Sequence, residues 1–178
     1  MKKQNVLVCD DLQVGDFNKA IKDGEKLGLK GVFLNAYASE MVNFSGELCK
    51  ELRKKGHNVT LFNGRDRRDC KTEIRNVNSL ANEIGTLIMQ KAVTCMVFDL
   101  NYFSDFNMGI RILKKLRSDQ SIPEYLDKKI LIWSRYTNEP DYNYQEVLTK
   151  ELRILEANIL DRNHVDIYEI AEIIQEWS

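Results

Sequence analysis

The sequence predicts a single α/β domain in which a parallel β-sheet is flanked by helices. Short apolar runs alternate with longer segments of helical period, and no repeat or Pro/Gly-rich linker interrupts this order. The chain of 178 residues contains only 2 Pro and 9 Gly, and 43% of it is hydrophobic, which is typical of one globular domain. We therefore expect a doubly wound sheet of five or six strands formed by residues 1–178.

The apolar runs are the predicted strands, and each is short enough for a strand of a parallel sheet. In chain order they cover residues 5–10, 31–36, 58–63, 94–99, 129–134 and 158–161. Between them, apolar residues recur at intervals of three and four, which indicates amphipathic helices. The last three predicted helices cover residues 109–118, 144–155 and 165–177. Residues 12–38 add a helix and a possible strand, and we interpret them as an insertion.

Composition narrows the classes of function. The 26 Lys and Arg residues nearly balance the 27 Asp and Glu residues, so the net charge of -1 gives no general attraction to nucleic acid. No apolar run approaches the roughly 20 residues of a spanning helix, and the apolar stretch 6–9 is too short for a signal peptide. The four cysteines form no CxxC pair, which argues against structural zinc. We expect a cytoplasmic protein that binds neither membrane nor nucleic acid.

Polar residues end several of the predicted strands. Asp10 and Asp11 end the first, Asp99 the fourth and Ser134 the fifth, while Arg162 follows the last. In a parallel sheet the carboxyl ends of the strands meet at one edge, where ligands gather. Carboxylates at such an edge repel one another unless a cation neutralises them, and Mg²⁺ is a natural candidate because it takes carboxylate and phosphate oxygens as ligands. A carboxylate can also act as a nucleophile toward phosphorus.

Three of these strand sequences carry a resemblance to a known family. The runs VLVCDD at 6–11, MVFDL at 96–100 and ILIWS at 130–134 resemble the receiver domain of two-component response regulators, a flavodoxin-like fold of five strands. The resemblance implies that Asp99 accepts a phosphoryl group from a histidine kinase or a phosphotransfer protein. It also implies that Asp10, Asp11 and Asp99 hold Mg²⁺, and that Ser134 and Arg162 contact the phosphoryl oxygens.

The same resemblance implies a signalling protein rather than an enzyme, with at most phosphoryl acceptance and autodephosphorylation. Output would then pass to a downstream protein partner or through a homodimer. We expect the contact face to be formed by residues 144–155, the last strand and residues 165–177. On the last helix, Tyr168 lies about 100° from the centre of the apolar stripe, so we expect it to be partly exposed.

Departures from the receiver pattern keep an alternative open. No Met-Pro follows Asp99, the bulky Arg135 follows Ser134, and the lysine of the family is absent. Arg162 is the nearest substitute for that lysine, whereas an alignment without a gap would place Asn163 there. These departures favour a degenerate receiver, which keeps the fold and binds partners without being phosphorylated.

Two further readings depend on single segments. Residues 31–36 could be the first strand of the family, in which case Asn35 would replace the acidic pair and metal binding would be lost; the acids at Asp10 and Asp11 favour the first assignment. The run VFDLN at 97–101 also resembles the first motif of haloacid-dehalogenase phosphatases, although that motif has Asp where Asn101 stands.

Overall fold

The computed structural model describes residues 2–10, 22, 25–31, 33, 44–63, 77–100, 107–134, 144–162 and 164–178. These residues contain a five-stranded parallel sheet in the order β2-β1-β3-β4-β5. The strands are β1 (Asn5–Asp10), β2 (Asn58–Asn63), β3 (Cys95–Phe98), β4 (Ile130–Ser134) and β5 (Ile159–Asp161). The α/β fold with flavodoxin-like strand order is therefore confirmed.

Helices cover both faces of this sheet. They are α1 (Phe44–Lys54), α2 (Val77–Gln90), α3 (Met108–Ser118), α4 (Tyr144–Glu146, continued by the π-helical segment Val147–Glu151) and α5 (Ile167–Glu176); Glu124–Lys129 forms a 3₁₀ helix before β4. One core lies between the sheet and α1 and α5, and a second lies between the sheet and α2, α3 and α4. Alternate residues of each central strand enter these two cores, because side chains of a strand point to opposite faces.

The predicted strand at residues 31–36 is wrong where the structure describes it. Gly31 and Phe33 are helical, and the Phe33 side chain is 77% exposed, so this segment supplies no strand to the sheet at these positions. Periodicity alone cannot distinguish helix from strand in so short an apolar run. The central position next to both β2 and β3 belongs to β1, which overturns the alternative in which residues 31–36 are the first strand. Asn35 lies outside the described residues.

The helix predicted at 144–155 is shorter than expected. Its regular part ends early, the π-helical segment follows, and the N–H of Leu152 donates to the carbonyl of Val147 at 3.0 Å. Arg153 has a φ of 54°, a left-handed conformation that a helix cannot continue through. The chain then enters the short edge strand β5.

Gly109 positions α3 directly against the end of β3. A Cβ atom at this residue would lie 2.5 Å from the backbone of Leu100, so only glycine allows this approach. The N–H of Gly109 donates to the carbonyl of Leu100 at 2.9 Å, which ties the start of α3 to the residue that follows Asp99.

Among the described residues, no helix has both the length and the apolar character required to cross a bilayer.

Candidate functional site

Two buried carboxylates lie at the carboxyl ends of β1 and β3. Alternation along the strands places Asp10 on the face of Val8 and Asp99 on the face of Val97, and both valines belong to the core under α1 and α5. The N–H of Asp99 donates to the carbonyl of Cys9 at 3.0 Å, so the two strand ends stay paired beyond β3. Asp10 is 2% exposed and Asp99 is 5% exposed. Two ionisable groups of the same charge are therefore held together away from water.

Arg162 supplies the positive charge between these carboxylates. Its Nη2 atom lies 3.1 Å from Oδ2 of Asp10, and its Nη1 atom lies 3.5 Å from Oδ2 of Asp99. The side chain of Arg162 is only 4% exposed. The backbone N–H of Arg162 donates to the carbonyl of Ser134 at 3.0 Å, which fixes the residue at the end of β5 beside β4. The two nitrogens of one guanidinium thus contact two different carboxylates.

Trp133 holds the guanidinium from one side. The centre of the Arg162 guanidinium lies 4.4 Å from the centroid of the Trp133 ring, and Nη2 donates to the Trp133 carbonyl at 3.1 Å. The indole Nε1–H in turn donates to the carbonyl of Val165 at 3.1 Å. Stacking on an aromatic face is favourable for a buried guanidinium. Trp133 is 1% exposed and packs in the core under α1 and α5, and its ring also stacks on this cation.

Ser45 adds a second donor to the cluster. It is 1% exposed in the first turn of α1, and its hydroxyl donates to the Oδ2 atom of Asp10. This oxygen therefore accepts hydrogen bonds from both Ser45 and Arg162. Sequence reasoning missed Ser45, because the long segment between β1 and α1 removes any fixed spacing between the serine and the aspartate.

Ser134 and the residues around the end of β5 are the remaining positions that the sequence singles out. Ser134 ends β4 in register with Asp161; its side chain is fully buried, and its hydroxyl has no hydrogen-bond partner among the described residues. Asp161 lies 3.0 Å from Nδ1 of His164, whose side chain is 78% exposed. His164 therefore lies on the surface beside the end of β5. Asp11, Arg135 and Asn163 lie outside the described residues.

Mg²⁺ does not fit the arrangement that the described residues form. The guanidinium of Arg162 stands between the two carboxylates, and one carboxylate oxygen of Asp10 already accepts two hydrogen bonds. Over the described ranges, no group of three or more His, Cys, Asp and Glu side chains could hold a metal ion. A metal ion would have to displace Arg162 to take the Oδ2 atoms of both carboxylates as ligands.

Thiol chemistry is also disfavoured beside the cluster. Burial raises the pKa of the Cys9 thiol well above its usual value, and the adjacent Asp10 carboxylate raises it further. Burial likewise raises the pKa of Cys49 to about 11, with Arg53 acting in the opposite direction and Asp10 adding to the increase. The thiolate is the nucleophile, so these two cysteines behave as small apolar residues of the core.

No protein-family model matches the chain, and a search of curated proteins finds no match either. The candidate functional site is the cluster formed by Asp10, Asp99, Arg162, Ser45 and Trp133, which we call the Arg162 cluster.

Proposed function

We propose that this chain is a receiver-like protein-interaction module that is not phosphorylated. The observation that carries the proposal is the buried guanidinium of Arg162, which pairs with both Asp10 and Asp99. A phosphoryl group would add further negative charge beside two carboxylates, and its transfer needs a cation free to neutralise that charge. In the Arg162 cluster the cation is already engaged by the carboxylates and the Trp133 carbonyl.

Burial of the acceptor supports the same conclusion. The side chain of Asp99 is 7% exposed, so a phosphoryl donor in solution has little access to its oxygens. In-line attack requires the carboxylate oxygen to approach phosphorus closely and with correct alignment. The role that this proposal gives to the cluster is to hold the carboxyl edge of the sheet in one arrangement, while signalling depends on contacts with another protein.

A cytoplasmic location belongs to this proposal. Cys9, Cys49 and Cys95 are free and buried, so the part of the fold that they occupy does not depend on disulfides. Proteins that keep their cysteines reduced are typical of reducing compartments. The partner would be another protein, or a second copy of this chain, rather than a nucleic acid or a membrane.

Treatment with acetyl phosphate tests the proposal. Wild-type protein and Asp99→Asn are incubated with acetyl phosphate in the presence of Mg²⁺, and intact masses are compared. We expect neither protein to gain a phosphoryl group. A phosphoryl adduct on the wild type that is absent from Asp99→Asn would contradict the proposal and identify Asp99 as an acceptor.

A second candidate is the phosphoryl acceptance by Asp99 that the receiver resemblance implies. The fully buried Ser134 hydroxyl favours it, because a buried hydroxyl without a partner is costly and a phosphoryl oxygen would supply an acceptor. In this case a histidine kinase or a phosphotransfer protein is the donor. The same mass measurement separates the candidates, and Ser134→Ala should reduce labelling only if the second one is correct.

A further inference from the structure

We propose that Arg162 is the resident cation of the acidic edge, by which we mean that its guanidinium permanently neutralises Asp10 and Asp99 at the carboxyl ends of β1 and β3. In the wild type this edge is independent of divalent metal ions. It becomes a metal site only when the guanidinium is removed. This inference deepens the proposed function, because it names the group that keeps the acidic pair closed. It rests on the geometry of the Arg162 cluster and on the poor fit of Mg²⁺ described above.

Charge balance requires a cation at this place. Asp10 and Asp99 are 2% and 5% exposed, and two buried negative charges side by side are costly unless a positive charge lies nearby. Arg162 meets this need with two separate nitrogens, one for each aspartate. An arginine side chain keeps its charge at any pH at which proteins are folded, so it supplies this charge permanently.

Competition for the same oxygens excludes the metal. Mg²⁺ requires near-octahedral oxygen ligands at about 2.1 Å and keeps several waters. The Oδ2 atom of Asp10 would have to give up its hydrogen bonds from Ser45 and Arg162 to become a ligand. The displaced guanidinium would leave the Trp133 carbonyl and ring as well. Metal binding to the wild type therefore has to offset the loss of all these contacts.

The cluster also contains its own reporter. The ring of Trp133 contacts the guanidinium, and its Nε1–H donates to the carbonyl of Val165. Val165 immediately precedes Asp166, the N-terminal cap of α5. Displacement of Arg162 changes the surroundings of this indole. In a Trp177→Phe background, Trp133 is the only tryptophan of the chain, so its emission reports on the cluster alone.

The experiment is a titration with Mn²⁺ and Mg²⁺, followed by Trp133 emission and by the electron paramagnetic resonance of free Mn²⁺. Four proteins are compared in the Trp177→Phe background: the parent, Arg162→Met, Arg162→Met with Asp99→Asn, and Lys91→Met as an exposed control in the turn after α2. Methionine keeps an unbranched, flexible side chain and removes the charge. The parent and the control should bind no metal up to millimolar concentrations.

Arg162→Met should bind Mn²⁺ at least tenfold more tightly than the parent, a factor that corresponds to about 1.4 kcal/mol. Adding Asp99→Asn should abolish this binding, which assigns the new site to the two carboxylates. Binding of Mn²⁺ to the parent that is lost in Asp99→Asn would overturn the proposal. Failure of a folded Arg162→Met protein to bind would overturn it equally, since exclusion would then have another cause.

Two precautions keep the test decisive. If Arg162→Met is too unstable to titrate, Arg162→Lys replaces it, because lysine retains the charge but loses the planar fork that reaches both carboxylates. Metal binding intermediate between the parent and Arg162→Met supports the proposal. Absence of metal binding to the folded Arg162→Lys protein counts against it.

Failure of the proposed function is recognised by a separate result. If acetyl phosphate phosphorylated the wild type without any divalent metal, the proposal that the protein is not phosphorylated would be wrong. The proposal that Arg162 takes the place of a metal ion would still hold.

Discussion

The two edges of the central sheet are closed by different kinds of polar contact. At the carboxyl edge, the Arg162 cluster joins two carboxylates and a guanidinium that are almost completely buried. At the amino edge, the side chain of Gln4 is 3% exposed, donates to the Trp177 carbonyl at 2.7 Å and accepts from the Thr94 hydroxyl at 2.5 Å. Its backbone N–H donates to Nδ1 of His57 at 3.3 Å. One edge thus depends mainly on charged groups and the other mainly on neutral hydrogen bonds.

This difference separates stability from function. Neutral hydrogen bonds at the amino edge join the start of β1, the residue before β3 and the end of α5, which is what closing a fold requires. A buried ion cluster is weak evidence for stability, because apolar residues of similar volume often serve as well or better. We infer that the amino edge stabilises the fold, whereas the proposed function concerns the buried charges at the carboxyl edge.

Among changes at the two edges of the sheet, removing the charge of Arg162 should have the largest effect on stability. Arg162→Met removes the guanidinium that pairs with the buried carboxylates of Asp10 and Asp99, so we expect unfolding in urea to show a loss of about 3–5 kcal/mol. Lys150→Met removes an exposed ion pair with Glu146, 2.7 Å long, and should leave the urea midpoint unchanged.

A compensated variant sharpens this result. In the triple variant Arg162→Met, Asp10→Asn and Asp99→Asn, no buried charge remains in the cluster, so most of the lost stability should return. A triple variant as unstable as Arg162→Met would show that the guanidinium stabilises the fold by packing on Trp133 rather than by neutralising the carboxylates.

At the amino edge, Gln4→Ala should have an intermediate effect. The substitution leaves the partly buried Trp177 carbonyl with one hydrogen bond fewer, although Lys129 still donates to it at 2.8 Å. We expect a loss of about 1–3 kcal/mol, measured by urea unfolding. Gln145 donates to Glu156 at 2.8 Å on the exposed surface, so Gln145→Ala is the matched control and should change stability little. Equal losses in the two variants would remove the structural role of the Gln4 network.

The pH dependence of stability should also arise at the amino edge, from His57. Burial lowers the pKa of His57 below its usual value of 6.5; a hydrogen bond with Gln175 raises it in part, and the Lys55 ammonium lowers it. Because the unfolded chain then binds this proton more readily, the contribution is complete above pH 6.5. It falls as the pH drops toward the lowered pKa of the folded state, by up to about 1.4 kcal/mol per pH unit.

Urea unfolding between about pH 5 and 8 measures this dependence. His57→Gln should flatten the slope below pH 6.5. If the slope persists in His57→Gln, the neutral hydrogen-bonded imidazole is not its source.

The sequence predicts the strand ends at the carboxyl edge, but not the side-chain contacts between them. Alternation and the polar strand ends place Asp10 and Asp99 correctly at the ends of β1 and β3, because a buried parallel strand has a clear apolar pattern. The contact between Ser45 and Asp10 has no such signal, since it joins a strand to a helix across a long intervening segment. The guanidinium of Arg162 lies between the carboxylates through side-chain reach, which local sequence does not encode. Residues 31–36 misled the strand prediction because a short apolar run has no distinguishing period.

The smallest effect is expected at Tyr168, on the outer side of α5. Its side chain is 60% exposed, which confirms the partial exposure predicted from the helical period. We expect Tyr168→Ala to change the free energy of unfolding by less than about 0.5 kcal/mol, because a surface residue has few contacts to lose. The buried Tyr144, 2% exposed, provides the contrast, and Tyr144→Ala should cost about 3–5 kcal/mol by leaving a cavity.

Because Tyr168→Ala should leave the fold intact, it tests recognition without disturbing either edge of the sheet. Exposed aromatic residues are enriched among the residues that dominate protein interfaces. Sedimentation of the wild type and the variant over a concentration series measures self-association directly. If Tyr168 anchors a homodimer, the wild type should dimerise as concentration rises and the variant should remain monomeric. A monomeric wild type at every concentration would eliminate the homodimer and direct the search to a different protein partner.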